Sequence, residues 1–138
     1  MEYKITNALT PDGIMIRQAV FVQEQGFKNE FDDIDDIAYH LVIYEDGKPA
    51  AAGRLFEKRT GEYYIGRVAV LKEYRKMRLG SKIISLLEEK ARDLGGKRTV
   101  VSAQCGARAF YEKAGYTAFG DVHYDEDCPH VYMEKNIH

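Results

Sequence analysis

The sequence predicts an α+β (mixed α/β) domain: one central sheet, mostly antiparallel, flanked by helices. Three observations carry this. Residues 39–71 alternate between β-rich stretches and tight turn signals, the pattern of an antiparallel meander. The apolar period then switches, with Leu79, Ile83, Leu86, Leu87 and Leu94 at helical spacing before a further β-rich stretch. Such a helix crossover makes the flanking strands parallel, with a right-handed connection. Finally, 138 residues suit one domain and are too few for two ordinary ones. The predicted order is β-α-β-β-β-α-β-α-β-β, a single domain over residues 1–138.

Each element has its own signal. Tyr3 to Thr6 reads as a short first strand. Thr10-Pro11 starts a helix, with Thr as N-cap and Pro in the first turn. That helix carries Ile14, Met15, Ala19, Val20 and Phe21 toward the core, and Gly26 stops it. Phe27 to Ile37 is acidic and irregular. Tyr39 to Tyr44 is a strand by composition. Asp46-Gly47 is a hairpin turn, because both residues tolerate positive φ. Ala50 to Lys58 returns, Thr60-Gly61 turns the chain again, and Tyr63 to Leu71 is the third strand of the meander. The helix from Leu79 exposes Lys82, Ser85, Glu89 and Arg92 and ends at Gly95-Gly96. Arg98 to Ala103 is a strand, Ala107 to Ala114 a short helix closed by Gly115, and strands near 116–124 and 130–135 complete the order.

Composition excludes several classes. Twenty Lys and Arg against 22 Asp and Glu leave a net charge of -2, and with a pI near 6.1 this disfavours nucleic acid and anionic membrane as partners. Two cysteines, Cys105 and Cys128, are too few for a disulfide scaffold or a Cys-rich zinc site. Asp35, Asp36 and His40 put no three metal ligands on one element, so no metal is expected. The apolar stretch Ile14 to Val22 is broken by Arg17 and Gln18, so neither a cleavable leader nor a membrane span is expected, and the location expected is cytoplasmic.

Charge is nevertheless localised. Residues 72–82 hold Lys72, Arg75, Lys76, Arg78 and Lys82 against Glu73 alone, just where a strand passes into a helix. A helix N-terminus leaves N–H groups unpaired and carries partial positive charge, so added bases make an anion site suited to a pyrophosphate. A solvated basic helix start is the plain alternative.

The stretch Arg75 to Gly80 resembles the acyl-CoA-binding motif of the GNAT family of N-acetyltransferases: Arg or Gln, two residues, Gly, one residue, then Gly or Ala. Arg78 stands where the family usually has Gly. A second block, Gln104 to Tyr116, resembles the later family motif through Ala107, Phe110, Tyr111, Lys113, Gly115 and Tyr116, with Gln104 replacing the usual Asn. The front end, Ile16 to Gly26 followed by Glu30, Asp33, Asp35, Asp36 and Ala38-Tyr39-His40, is similar to the ElaA-like branch of small members. So is the tail Pro129 to Met133.

The resemblance implies a GNAT-like fold and a cytosolic single-domain acyltransferase using acetyl-CoA as co-substrate. It implies that the donor lies in a V between the strand ending at Leu71 and the strand ending near Gln104. The pantetheine arm would run along the backbone of Val68, Ala69 and Val70. The pyrophosphate would sit on the N–H groups of Lys76, Met77, Arg78, Leu79, Gly80 and Ser81, with Arg75 and Arg78 adding charge. Tyr111 would be the general acid toward the leaving CoA thiolate; a phenol has a pKa of about 10, and such help is typically worth about 10²–10⁴-fold. Cys105 reads as a packing residue. Family members often dimerise through sheet edges or C-terminal strands, which leaves a homodimer open.

The acceptor side is drawn from charge. Residues 24–46 contain eight acids and one base, Lys28, and Asp121, Asp125, Glu126 and Asp127 form a second acidic group. Bordering a cleft, they favour a small cationic amine acceptor; solvated acidic loops are the alternative. An alkyl amine with a pKa near 10.4 is about 99.9% protonated at pH 7 and needs a base or a desolvated pocket before it can attack. Glu24, His40 and His130 are the candidate bases. The competing function is a non-catalytic acyl-CoA-binding or regulatory module, left open by Arg78 and Gln104; retention of Tyr111 favours the enzyme.

Overall fold

Side chains alternate across a strand, and here both faces of the central strands are apolar. In the computed structural model, which describes residues 1–138, Leu41 and Ile43 of one strand enter a 20-residue core on one side of the sheet, while Val42 joins a six-residue cluster on the other. The strands are β1 (Glu2–Thr6), β2 (Tyr39–Glu45), β3 (Lys48–Arg59), β4 (Glu62–Val70), β5 (Arg98–Gln104), β6 (Thr117–Asp125) and β7 (Cys128–Asn136). The helices are α1 (Pro11–Arg17), α2 (Leu79–Asp93) and α3 (Arg108–Lys113). The seven strands lie in the order β1-β2-β3-β4-β5-β7-β6. Only the β4–β5 pair is parallel, as the helix crossover requires. The placement of β7 between β5 and β6 had no local signal, because pairing partners distant in sequence leave none.

Helix α2 lies hard against the sheet at Gly53, where a Cβ would stand 2.7 Å from Ile83 Cγ2 and 3.1 Å from Leu87 Cδ1. Its exposed face carries Lys82, Ser85, Glu89 and Arg92 as expected. Leu94 differs from expectation: it lies beyond the helix, exposed, whereas Glu88 is buried and accepts hydrogen bonds from Tyr116 Oη (2.8 Å) and Lys135 Nζ (3.1 Å).

The first helix also departs from expectation. Thr10 caps it, its Oγ1 accepting from Gly13 N–H at 3.3 Å. After Arg17 the coil widens into a π-helical segment, Gln18–Glu24. Met15 points outward, while Ile16 and Arg17 turn in. The reason is electrostatic. Arg17, 2% exposed, meets Glu30 (2.9 Å) and Asp35 (2.8 Å). Arg54 of β3 meets Asp35 (2.9 Å) and Asp32 (2.7 Å), and Arg67 of β4 meets Glu30 (3.0 Å) and Asp32 (3.3 Å). Three guanidiniums and three carboxylates thus close on themselves with no net charge. The acidic loop is neither wholly solvated nor free to attract a ligand, since its inner acids are consumed.

Candidate active site

Strand β4 makes the site by changing partners. It pairs with β5 only from Glu62↔Arg98 to Ile65↔Val101. Its register with β3 then slips between Ala52 and Arg54, where Arg67 takes φ +51°, a left-handed conformation at an extra residue in β4. Beyond that bulge β4 stays with β3, through Ala52↔Ala69 and Ala51↔Val70, and leaves β5. A V opens between the two strands. Val68 and Val70 are half-buried against the larger core, and the Ala69 side chain packs in the smaller cluster under α1. The Ala69 side chain is thus withdrawn from the V, and the backbone edge of 68–70, released from β5, is open to a ligand there.

At one end of the V, residues 75–81 turn into α2. Lys76 and Arg78 have φ of +75° and +59°, and no side chain caps the helix. The N–H groups of residues 76–81 find no acceptor within the chain. Leu79 is buried, while Lys76, Met77, Arg78 and Ser81 are exposed. At Gly80 a Cβ would stand 3.3 Å from the Phe110 ring, so α3 holds this turn closely. Arg75 is already engaged: its guanidinium binds both Glu24 oxygens (2.7 and 2.6 Å), and its Nε donates to the Val70 carbonyl at 3.1 Å.

At the floor of the V is a cavity of about 230 Å³. Val68, Gln104, Tyr111 and His130, four residues singled out from the sequence, line it together. Tyr111 is 8% exposed, its hydroxyl makes no hydrogen bond within the chain, and burial pushes its pKa up to about 12. Gln104 Nε2 donates to Gln25 Oε1 at 2.8 Å, tying the end of β5 to the segment after the π-helical turn. His130 is buried, and its Nδ1 donates to the Cys128 carbonyl at 2.9 Å. That bond places the proton on Nδ1 in the neutral ring and leaves Nε2 a lone pair.

The other two candidate bases lie elsewhere. Glu24 is outside the cavity lining, exposed and paired; the hydrogen bond from Arg75 holds its carboxyl below the usual range. His40 is 4% exposed, with Nε2 2.9 Å from the Asp35 carbonyl, and serves the acidic loop. Cys105 and Cys128 are free thiols. Sequence reasoning missed Phe21, Phe27, Arg67 and Ser102 as cavity walls, whereas Glu30 and Asp125 line it as members of the two acidic groups expected at the acceptor side. The slip at Arg67 has no marker in residue type, and the others come from separate elements.

This architecture defines a class, the acyl-CoA N-acyltransferases. An acyl-CoA N-acyltransferase from Pseudomonas aeruginosa superposes with a TM-score of 0.84 at 27% identity, covering 97% of this chain and 98% of the other. ElaA of Escherichia coli does so at 0.82 and 26% identity, over 98% and 99%. In sequence, the uncharacterized N-acetyltransferase YjcF of Bacillus subtilis (strain 168) is 34% identical over 128 residues, 91% of each chain. Residues 5–137 match the model of the acetyltransferase (GNAT) domain. The chain therefore belongs to the GNAT acetyltransferase family, and its activity is transfer of an acyl group from a CoA-linked donor.

Proposed function

We propose that the chain moves acetyl from acetyl-CoA to an amine of a small cationic acceptor, by direct attack in a ternary complex. The reading rests on one juxtaposition: six unpartnered N–H groups at one end of the V, and an unpartnered phenol in the cavity at its floor. The N–H groups of 76–81 hold the pyrophosphate, and the β4 backbone at Val68 and Val70 receives the pantetheine arm. Arg78 adds positive charge; Arg75 does so only where its pairing with Glu24 gives way.

His130 Nε2 takes a proton from the acceptor ammonium. The freed nitrogen attacks the thioester carbonyl, the C–N bond forms and the C–S bond breaks. The nitrogen loses two protons in all; one is matched on the departing sulfur, the other reaches water. Tyr111 donates to that sulfur. With its pKa near 12 it is fully protonated at neutral pH. Transfer to an ordinary thiolate of pKa about 8.5 would run uphill by about 5 kcal/mol. Burial, however, raises a thiol's pKa as it raises the phenol's, so the gap narrows inside the cavity. Tyr111 therefore acts as a hydrogen-bond donor while the C–S bond stretches, and as an acid once it has broken.

The test is calorimetric titration with acetyl-CoA and with CoA at low and high salt. Micromolar binding that weakens with salt is expected for a phosphate held by helix N–H groups and exposed bases. Absence of binding by either ligand would overturn the assignment of the turn at 75–81.

A further inference from the structure

Twelve acids border or approach the acceptor side by sequence, yet only Glu30 and Asp125 line the cavity among them. Glu30 is neutralised by Arg17 and Arg67 within the closed ion network. Arg67, the cationic group on the cavity wall, is spent on Glu30 and Asp32 in turn. Asp125 makes no ion pair and accepts no side-chain hydrogen bond, and so stands as the uncompensated charge of the site. It lies at the end of β6, opposite Cys128 and two residues beyond the His123↔His130 pair.

An anion beside the reacting nitrogen would be counterproductive. It would stabilise the ammonium form, which must lose a proton before it can attack. The charge of Asp125 helps only if it faces a second cationic group that keeps its charge throughout the reaction. Resting on the acetyl-transfer reading above, we propose that the acceptor is a short dication, with one amine that reacts near His130 and a second ammonium or guanidinium held by Asp125. The bond changes are those already given, with one nitrogen acetylated, the other still protonated, and CoA thiol and one proton released.

Two probes of equal carbon number separate the contributions: 1,4-diaminobutane and n-butylamine, with free-thiol release followed at saturating acetyl-CoA and at two salt concentrations. The diamine is expected to have the lower KM, by about fivefold, the upper range for an exposed ion pair. This advantage should shrink with salt. In D125N the diamine's KM should rise to that of the monoamine, with the loss appearing in KM and not in kcat. Equal KM values in the parent protein would overturn the proposal, as would a diamine advantage that survives D125N. A fall in kcat with KM unchanged would reassign Asp125 to proton transfer and overturn the proposal too. Calorimetry with acetyl-CoA separates the two readings: if it binds and neither amine releases thiol, the dication is wrong and the donor site stands; if it fails to bind, both fall.

Discussion

At the scale of single residues, Tyr111 and His130 are distinguished by what they do not bond. Both line the same cavity, and a hydroxyl and a ring nitrogen without a partner in the chain are left there to meet whatever occupies it. Burial of the phenol has a directional consequence. It keeps the proton on oxygen at any physiological pH, so the proposed role of Tyr111 is that of a donor and not a base. Tyr111→Phe should lower turnover at least about tenfold while acetyl-CoA binding is retained, checked by thiol release and calorimetry side by side. Undiminished turnover would remove the phenol from the reaction. Tyr111 was legible in the sequence because a local motif surrounds it. Asp125 was legible only as one of four acids in a run, since charge alone does not say which carboxylate is paired.

At the scale of elements, the turn into α2 shows why the family prefers glycine at the position of Arg78. The residue before the helix must be left-handed, with φ +59° here, which costs a side chain about 1–2 kcal/mol. The strained conformation points successive N–H groups outward, and an arginine retained there adds a cation beside them. Arg78→Gly should raise thermal stability slightly, since relief of strain is partly offset by the freer unfolded chain. It should also weaken CoA binding by about two- to fivefold, the range for one charge near a helix end, and flatten its salt dependence. Thermal unfolding and calorimetry on the same variant check both. Unchanged affinity and salt response would mean that the backbone alone holds the phosphates. Strand β4 carries the other half of the site. Its slip at Arg67 frees the edge of 68–70 from β5, and no residue type announces that slip, because the bulge depends on register against β3.

At the scale of the whole molecule, the buried ion network ties α1, the 30–36 loop, β3 and β4 into one body around the cavity. Asp35 is its centre. Burial acts to raise its carboxyl, but hydrogen bonds from Arg17 and Arg54 outweigh this and hold it at about 2, below the ordinary 3.8. A lowered pKa contributes stability that is present above pH 3.8 and is lost as the pH falls toward about 2. Glu30 runs the other way: burial lifts it above the ordinary 4.5 despite its arginines, so its contribution improves on acidification, before the Asp35 window opens. Urea unfolding should therefore show stability rising slightly as the pH falls to about 4.5 and then declining between 3.8 and 2. Asp35→Asn should cost about 3–5 kcal/mol at neutral pH, because it leaves buried guanidiniums short of charge. If the variant folds, it should lose much of the acid-side decline; if not, the parent's pH profile still tests the assignment. A flat parent profile across that window would exclude the network as the acid-labile element.

The sequence by itself determined the element order, the parallel β4–β5 crossover, the basic turn into α2 and the motif that surrounds Tyr111. Each of these is written in local period, turn chemistry or a contiguous motif. Tertiary structure alone decided which charges cancel, where β7 inserts, and which one of many acids faces the cavity uncompensated. Those outcomes depend on partners far apart in the chain: Arg17, Arg54 and Arg67 come from three elements to neutralise a loop that reads, on its own, as an acidic attractant. Pairing across such separations is set by packing of the whole sheet and leaves no periodic trace in sequence.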